Sequence, residues 1–297
     1  MKYRNHLLIF SILLVGFSVH YLFTNQYSSL TPKAIKDNLQ TGAKNSLGYI
    51  HIVRAYPFDD IPEKGLSDSF SELEIRKYKR NKIFQWVSIG PINIGGRTLA
   101  LAIHPENPDI LFVGSASGGL WKSTTGGSGL NAWEYIPTGH QVLGVAAIDI
   151  DANNPNTMFI GTGEAYGSSE NYPGIGPVRT TRGSYGIGIL KSTDGGLSWT
   201  KSLDWSLNQK RAVQKIQINP LRSESIWAAT TDGVYKSTDG GDSWSNIHSV
   251  TMATDIIINP LDTNMVFVAH GGMGSDGHGI YRTCLLYTSP SPRDGDE

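Results

Sequence analysis

A stretch rich in glycine and tyrosine, between residues 163 and 186, carries many of the side chains that could bind or cleave a polar ligand. Glu164 is its candidate catalytic carboxylate, and Arg97, further upstream, is a candidate ligand contact. The other candidate ligand-binding residues are Tyr166, Glu170, Tyr172, Arg179 and Arg182. Long loops with aromatic and charged side chains often bind polar or carbohydrate ligands, although such an insertion can equally be solvated or brace a neighbouring domain.

A second set of acids lies in a motif that occurs twice, with the pattern S-x-D-x-G-x-[ST]-W, hereafter the Asp-box. Its glycines permit positive φ, its aspartate can accept hydrogen bonds from the turn, and its tryptophan begins a return strand. A catalytic aspartate is the alternative, but a residue that recurs in each unit is expected to do what each unit needs. We therefore expect a structural hairpin clamp, formed by Ser192, Asp194, Gly196 and Trp199 in one copy and by Ser237, Asp239, Gly241 and Trp244 in the other.

These motifs belong to a larger repeat of short apolar strands. Turn residues that follow the first strand of each unit, His104, Asp151, Asn219 and Asn259, are spaced by 47, 68 and 40 residues. A period of about 40–50 residues with four strands per unit is typical of propeller blades. The sequence therefore predicts an all-β fold over 86–283, a β-propeller of four-stranded blades with Asp-box hairpins. Four blades are visible, and the fourth is expected to be truncated where its Asp-box should begin.

The spacing of 68 residues places the insertion at 163–186 between the second and third strands of its blade. Since strands alternate in direction, this loop should share a face with the connections between blades. The Asp-boxes, between third and fourth strands, should lie on the opposite face.

The composition and net charge limit the fold classes and ligands that we expect. Gly is 34 of 297 residues and charged residues are only 17%, which suits many short strands and tight turns. A net charge of −1 gives no electrostatic argument for nucleic acid. The run from Asp149 to Asn153 begins like a calcium loop but lacks the Gly and Glu that follow in one. We therefore predict no metal and no cofactor.

The N-terminal region is predicted to direct export. Residues 1–23 combine a basic start with an apolar run, which indicates a signal peptide or an uncleaved signal anchor. Residues 24–85 are interpreted as a linker and a short helix over 69–82, capped by Ser67 or Ser69. The protein is thus expected to be secreted, periplasmic or on the cell surface, and to contact a membrane only through its N-terminal segment.

The C-terminal residues 284–297 are interpreted as a sequencing artefact. Cys284 to Asp294 reads as a translation of the transposase adapter used in short-read libraries, so the reading frame is expected to be truncated there. The one cysteine, Cys284, falls in this tail. No disulfide, zinc–thiolate or cysteine-nucleophile chemistry is therefore predicted for the rest.

From Trp86 onward the chain resembles the exported Asp-box (BNR-repeat) propellers, a family that includes the sortilin, xyloglucan-hydrolase and sialidase-type propellers. The resemblance is carried by the two Asp-boxes, by the run from Trp86 to Arg97 and by the run from Gly114 to Trp121. It implies a propeller fold and is unspecific for activity.

The resemblance also allows the enzyme branches to be compared residue by residue. Xyloglucan hydrolases carry a catalytic Asp in an early turn where this chain has Ala116, and glycoside cleavage needs two carboxylates. Sialidases continue their first arginine with Ile-Pro, whereas Thr98 and Leu99 follow Arg97. We therefore expect a non-enzymatic module that binds an extracellular glycan or protein; the alternative is a xyloglucanase- or sialidase-like glycoside hydrolase.

Overall fold

The computed structural model describes residues 49, 52–53, 55–58, 62, 64–79, 96–142, 144–165, 184, 186–208, 211–271 and 277–284. The chain divides into two compact units, Met1–Ile61 and Pro62–Glu297. In the first unit, Tyr49, Ile52, Val53 and Ala55 adopt helical conformation. The predicted export segment at 1–23 lies outside the described residues. Among the residues that are described, no helix is long and apolar enough to cross a membrane.

The second unit begins with helix α1, Gly65–Lys79. The predicted helix is therefore present, but it starts four residues earlier than expected. The prediction that Ser67 or Ser69 caps it is wrong, because both residues lie inside the helix and Ser71 donates a hydrogen bond back to the carbonyl of Ser67 at 2.9 Å. Asp68 in the first turn complements the helix dipole.

Fifteen strands follow among the described residues, and each pairs antiparallel with its neighbour in sequence within a sheet. Blade 1 consists of β1 (Thr98–His104), β2 (Asn107–Ser115), β3 (Leu120–Ser123) and β4 (Glu134–Ile136). Blade 2 consists of β5 (Val145–Ile150), β6 (Met158–Thr162), β7 (Gly188–Ser192) and β8 (Thr200–Asp204). Blade 3 consists of β9 (Val213–Asn219), β10 (Arg222–Thr230), β11 (Gly233–Ser237) and β12 (Ser245–His248). Blade 4 has three strands among the described residues, β13 (Ala253–Ile258), β14 (Met265–His270) and β15 (Gly279–Cys284).

The core lies between successive blades. One apolar cluster joins blades 1 and 2 around Phe112 and Ile160, a second joins blades 2 and 3 around Phe159 and Ile216, and a third joins blades 3 and 4 around Trp227. Each sheet thus buries both faces only where it has a neighbour on both sides. The first strands β1, β5, β9 and β13 are adjacent in that order. The fold is an all-β propeller, as predicted.

The same local contacts recur from blade to blade. Each predicted turn residue accepts a hydrogen bond from the amide two positions later, at 3.2, 2.9, 2.9 and 3.0 Å for His104, Asp151, Asn219 and Asn259. Such hydrogen bonds from the backbone to a side chain stabilise the turn that reverses the chain between the first and second strands.

In each of the first three blades, an aromatic ring on the second strand lies under a lysine on the third strand of the same blade. The lysine nitrogen is 5.3 Å from the ring centroid for Lys122 and Phe112, 6.0 Å for Lys191 and Phe159, and 4.7 Å for Lys236 and Trp227. All three rings are at most 2% exposed. Each lysine stem therefore covers the ring while its charge stays near the surface.

Candidate functional site

The two sequence-predicted site residues that the structure describes come together. The Arg97 guanidinium binds the Glu164 carboxylate in a fork, through Nη1 to Oε1 and through Nη2 to Oε2 at 2.7 Å. Arg97 immediately precedes β1 of blade 1, and Glu164 follows β6 of blade 2. Their ion pair therefore bridges two neighbouring blades.

Burial differs sharply between these partners. The Glu164 side chain is 5% exposed, whereas that of Arg97 is 54% exposed. Glu164 is fixed by its backbone, which exchanges two hydrogen bonds with Ser184 at 3.0 and 3.2 Å. Before it, Gly163 has φ +85°, and a Cβ there would lie 2.6 Å from the Cα of Gly186. Only glycine allows this close crossing, so the backbone places the carboxylate under the guanidinium.

Arg97 also lines a cleft of about 670 Å³. The polar side chains that line the cleft with Arg97 are those of Thr98, Ser115 and Ser117. The large apolar side chains of the lining are Val113, Trp121 and Trp133. Aromatic rings beside hydroxyl groups are a common lining for ligands that carry both polar and apolar faces.

The remaining predicted binding residues, Tyr166, Glu170, Tyr172, Arg179 and Arg182, lie outside the described residues. The described ends of the insertion are residue 165 and residue 186, which lie between β6 and β7. Both ends are on the same side of the propeller as Arg97 and the connections between blades.

In the two full Asp-boxes, the serine and aspartate side chains bond the hairpin. Ser192 Oγ accepts from the amides of Asp194 and Gly196 at 3.3 and 2.9 Å and donates to the Asp194 carboxylate at 2.8 Å. That carboxylate accepts from both the amide and the hydroxyl of Ser198, at 2.9 and 2.5 Å. Ser237, Asp239 and Ser243 repeat the pattern in blade 3.

These hydrogen bonds keep the box aspartates ionised. They lower the pKa of Asp194 from 3.8 to about 2, chiefly through the Ser198 hydroxyl and amide. The pKa of Asp239 is lowered in the same way, first by Ser243. A carboxylate whose acceptor sites are taken by its own turn and whose pKa is lowered is poorly suited to general acid catalysis at neutral pH.

The Asp-boxes also contact the preceding blade, which the sequence did not indicate. A Cβ on Gly241 would lie 2.6 Å from the Phe159 ring of blade 2. Ser202 of blade 2 donates to the Gly241 carbonyl and accepts from the Trp244 indole at 2.9 Å. Lys191 of blade 2 pairs with Asp242 at 3.1 Å. The motif is therefore part of the joint between blades as well as a clamp within one.

Blade 1 has an incomplete copy of the motif, Lys122 to Gly127 followed by Trp133, which retains half of this arrangement. Ser123 Oγ accepts from the amides of Thr125 and Gly127 at 3.2 and 2.9 Å. Thr125 replaces the aspartate and donates to the Ser128 carbonyl at 2.9 Å. The hydrogen bonds of the serine thus close this turn although the motif's carboxylate is missing.

Two titratable groups lie at blade joints: Asp149, which the sequence indicated only as the start of a calcium-like run, and His270, which it did not indicate. Asp149 of β5 accepts from the Ile218 amide of β9 at 2.6 Å, and burial raises its pKa to about 6. His270 of β14 is 4% exposed and packs 5.0 Å from both His248 of blade 3 and Tyr281 of blade 4. Burial, and next the charge of His248, lower the pKa of His270.

The described part of the chain contains no group of three or more His, Cys, Asp or Glu side chains that could hold a metal. In the run from Asp149 to Asn153, which begins like a calcium loop, the Asp151 carboxylate accepts hydrogen bonds instead. Asp151 accepts hydrogen bonds from the Asn153 amide and from the Ser223 hydroxyl of blade 3, both at 2.9 Å. It thus serves as a turn and joint residue.

No family model matches the chain, and no curated protein matches it. Among solved structures, it is similar to the crystal structure of an ancestral GH74 enzyme, with 20% identity and a TM-score of 0.48. The similarity covers 66% of this chain and 25% of that one. The chain therefore matches about a quarter of the length of this structural relative.

Proposed function

We propose that this protein is an exported propeller of the Asp-box type that binds an extracellular polysaccharide or protein ligand. The contact surface is the face that carries Arg97, the cleft that Arg97 lines and the insertion at 163–186. The observation that supports this proposal is the fixed, half-exposed guanidinium of Arg97. Because the buried carboxylate of Glu164 holds it, the guanidinium presents its remaining surface to the cleft with little loss of side-chain freedom on binding.

Ser115 and Ser117 line the same cleft as Arg97. The insertion adds Tyr166, Tyr172 and two arginines in sequence. Together they offer stacking surfaces and hydrogen-bond donors for sugar rings or for carboxylate groups.

A glycoside hydrolase is the runner-up, and the geometry around Glu164 favours it less. Retaining and inverting hydrolases need two carboxylates at about 5–10 Å, one of them free to donate a proton. Both oxygens of Glu164 bond Arg97, and Ala116 occupies the turn beside the cleft. No acidic side chain lines the described part of this cleft.

The proposal is tested by binding of the full chain to an array of plant, bacterial and animal polysaccharides, followed by titration of the best ligand. Tyr166→Ala and Tyr172→Ala should each weaken binding about tenfold, the effect expected from one lost stacking contact. Tyr49→Ala is the matched control, since Tyr49 is exposed and belongs to the other unit. Unchanged affinity in both insertion variants would refute the assigned contact surface. Release of reducing sugar from the bound ligand, abolished by Glu164→Gln, would instead establish the hydrolase.

A further inference from the structure

The joint between blades 3 and 4 contains two histidines at positions that the other blades fill differently. The first is His248 on β12, which pairs with Val234 of the third strand. In the same register, blades 1 and 2 have Ile136 and Leu203, and both pack in the apolar clusters that join successive blades. Blade 3 therefore has an imidazole where the repeat places an aliphatic side chain.

The second histidine, His270, lies at the end of β14 and also departs from the repeat. The residues in its register in blades 1 to 3 are Ser115, Thr162 and Thr230. Each of these hydroxyls forms a hydrogen bond with the backbone near the start of the third strand, at 2.6, 2.7 and 2.8 Å. Blade 4 has instead a histidine that is 4% exposed.

Ring nitrogens of both histidines are buried without a hydrogen-bond partner among the residues that the structure describes. They are both nitrogens of His270 and Nε2 of His248. The backbones of Thr251 and Val250 partly offset the lowering of the His270 pKa by burial, but neither bonds a ring nitrogen at normal distance and angle. A buried nitrogen without a partner costs free energy, so these three nitrogens indicate a group that binds them.

Tyr281 of β15 completes a compact cluster of three rings. The ring centroids of His248 and His270 are 5.0 Å apart, and that of Tyr281 is 4.9 Å from the first and 5.0 Å from the second. A metal ion bound to one nitrogen of each of two imidazoles, in tetrahedral geometry, holds the two ring centres about 5 Å apart. The two histidines therefore have the spacing of a pair of metal ligands.

The phenol and a cavity supply what a third and a fourth ligand need. The Tyr281 hydroxyl donates only a long hydrogen bond, to the Gly277 carbonyl at 3.4 Å. His248 and Tyr281 also line a cavity of about 240 Å³, which gives an ion and its water access to the cluster.

We propose that His248, His270 and Tyr281 form a binding site for a divalent transition-metal ion, for which Zn²⁺ is the probe. Imidazole nitrogen is a preferred ligand of such ions, the phenol supplies the third ligand and a water from the cavity the fourth. One ligand comes from blade 3 and two come from blade 4, so the ion joins the two blades. The site is independent of Arg97 and of the proposed function.

Calorimetric titration of Zn²⁺ into the full chain, freed of metal by a chelator and carrying no histidine tag, tests this inference. We expect saturable binding with a Kd of about 10 μM or tighter. His248→Leu and His270→Thr should each weaken it at least about a hundredfold, because each removes a ligand. Both variants should fold, since Leu203 and Thr162 occupy the equivalent positions of blade 2. Tyr281→Phe should weaken binding about tenfold.

His278→Ala is the matched control, because His278 is exposed directly before β15, and its affinity for Zn²⁺ should be unchanged. A loss in this control as large as in the other variants would indicate adventitious surface binding and overturn the proposal. No saturable binding below about 1 mM Zn²⁺ would also overturn it, as would unchanged affinity in any of the three ligand variants.

If His248→Leu and His270→Thr do not fold, X-ray absorption of the unmodified chain with one equivalent of Zn²⁺ decides. Two imidazole ligands around the ion support the site, and a shell with fewer than two imidazoles overturns it. None of these readouts uses a polysaccharide or protein ligand, so their failure is distinguishable from failure of the proposed function.

Discussion

At the scale of single residues, the ion pair between Arg97 and Glu164 is asymmetric. Only the carboxylate is taken out of water, and the guanidinium keeps more than half of its side-chain surface exposed. Breaking a pair is costly mainly when it leaves a buried charge without its partner. The two ends of this ion pair should therefore respond differently to mutation.

We expect Arg97→Met to destabilise the protein by about 2–3 kcal/mol, since the buried carboxylate of Glu164 loses two charged donors. Glu164→Gln should cost only about 1 kcal/mol, because the amide oxygen can still accept one bond and the exposed guanidinium can be solvated. Urea unfolding of both variants measures the difference. A larger cost for Glu164→Gln than for Arg97→Met would mean that the guanidinium depends on the carboxylate more than the carboxylate depends on the guanidinium.

The two full Asp-boxes provide a second test with a matched pair. Trp199 is 7% exposed and packs in the first apolar cluster, whereas Trp244 is half-buried. Trp199→Ala should cost about 3–5 kcal/mol, as for other buried aromatic truncations, and Trp244→Ala clearly less. Equal costs in denaturant unfolding would show that the motif, rather than burial, determines the contribution.

The sequence identified the residues of the Arg97 pair but not their contact. Glu164 and Arg97 are 67 positions apart, and they meet only because β6 ends and β1 begins on the same side of adjacent blades. Motif spacing and hydrophobic alternation predicted the blades, because each four-stranded repeat is a local pattern. Asp149 and His270 could not be found in this way, since their environments come from the neighbouring blade.

At the scale of the elements, the two glycines of the Asp-box hairpin have different roles. Both Gly240 and Gly241 have positive φ, +72° and +88°. A Cβ on Gly240 would meet only the tip of Lys191 at 3.9 Å, whereas one on Gly241 would collide with the Phe159 ring. The first glycine serves the turn alone, and the second serves the turn and the joint with blade 2.

Gly240→Ala should therefore cost about 1–2 kcal/mol, the price of placing an L residue in the left-handed region. Gly241→Ala should cost about 1–3 kcal/mol more, since a close-packed aromatic must move. Thermal or urea unfolding of the two variants gives the comparison. If they are equally destabilised, the contact with Phe159 is too soft to matter and the motif acts only within its own blade.

At the scale of the whole molecule, the stability of two joints between blades depends on pH in opposite directions. The folded pKa of Asp149, about 6, lies above its usual 3.8, so folding takes up a proton and stability increases as pH falls from about 6 toward 4. The folded pKa of His270 lies below its usual 6.5, so folding releases a proton and stability is lost as pH falls below that value. Acid should thus strengthen the joint between blades 2 and 3 and weaken that between blades 3 and 4.

The urea midpoint between pH 7 and pH 4 separates these contributions. Asp149→Asn lacks the group that gains stability in acid, so its midpoint should fall more steeply than that of the unmodified chain. The effect is on the order of 1–2 kcal/mol across this range, because the carboxylate is only partly exposed. His270→Gln lacks the group that loses stability, so its midpoint should fall less steeply or rise. If both substitutions shift the slope in the same direction, the joints do not titrate independently, and the propeller responds to pH as one cooperative unit.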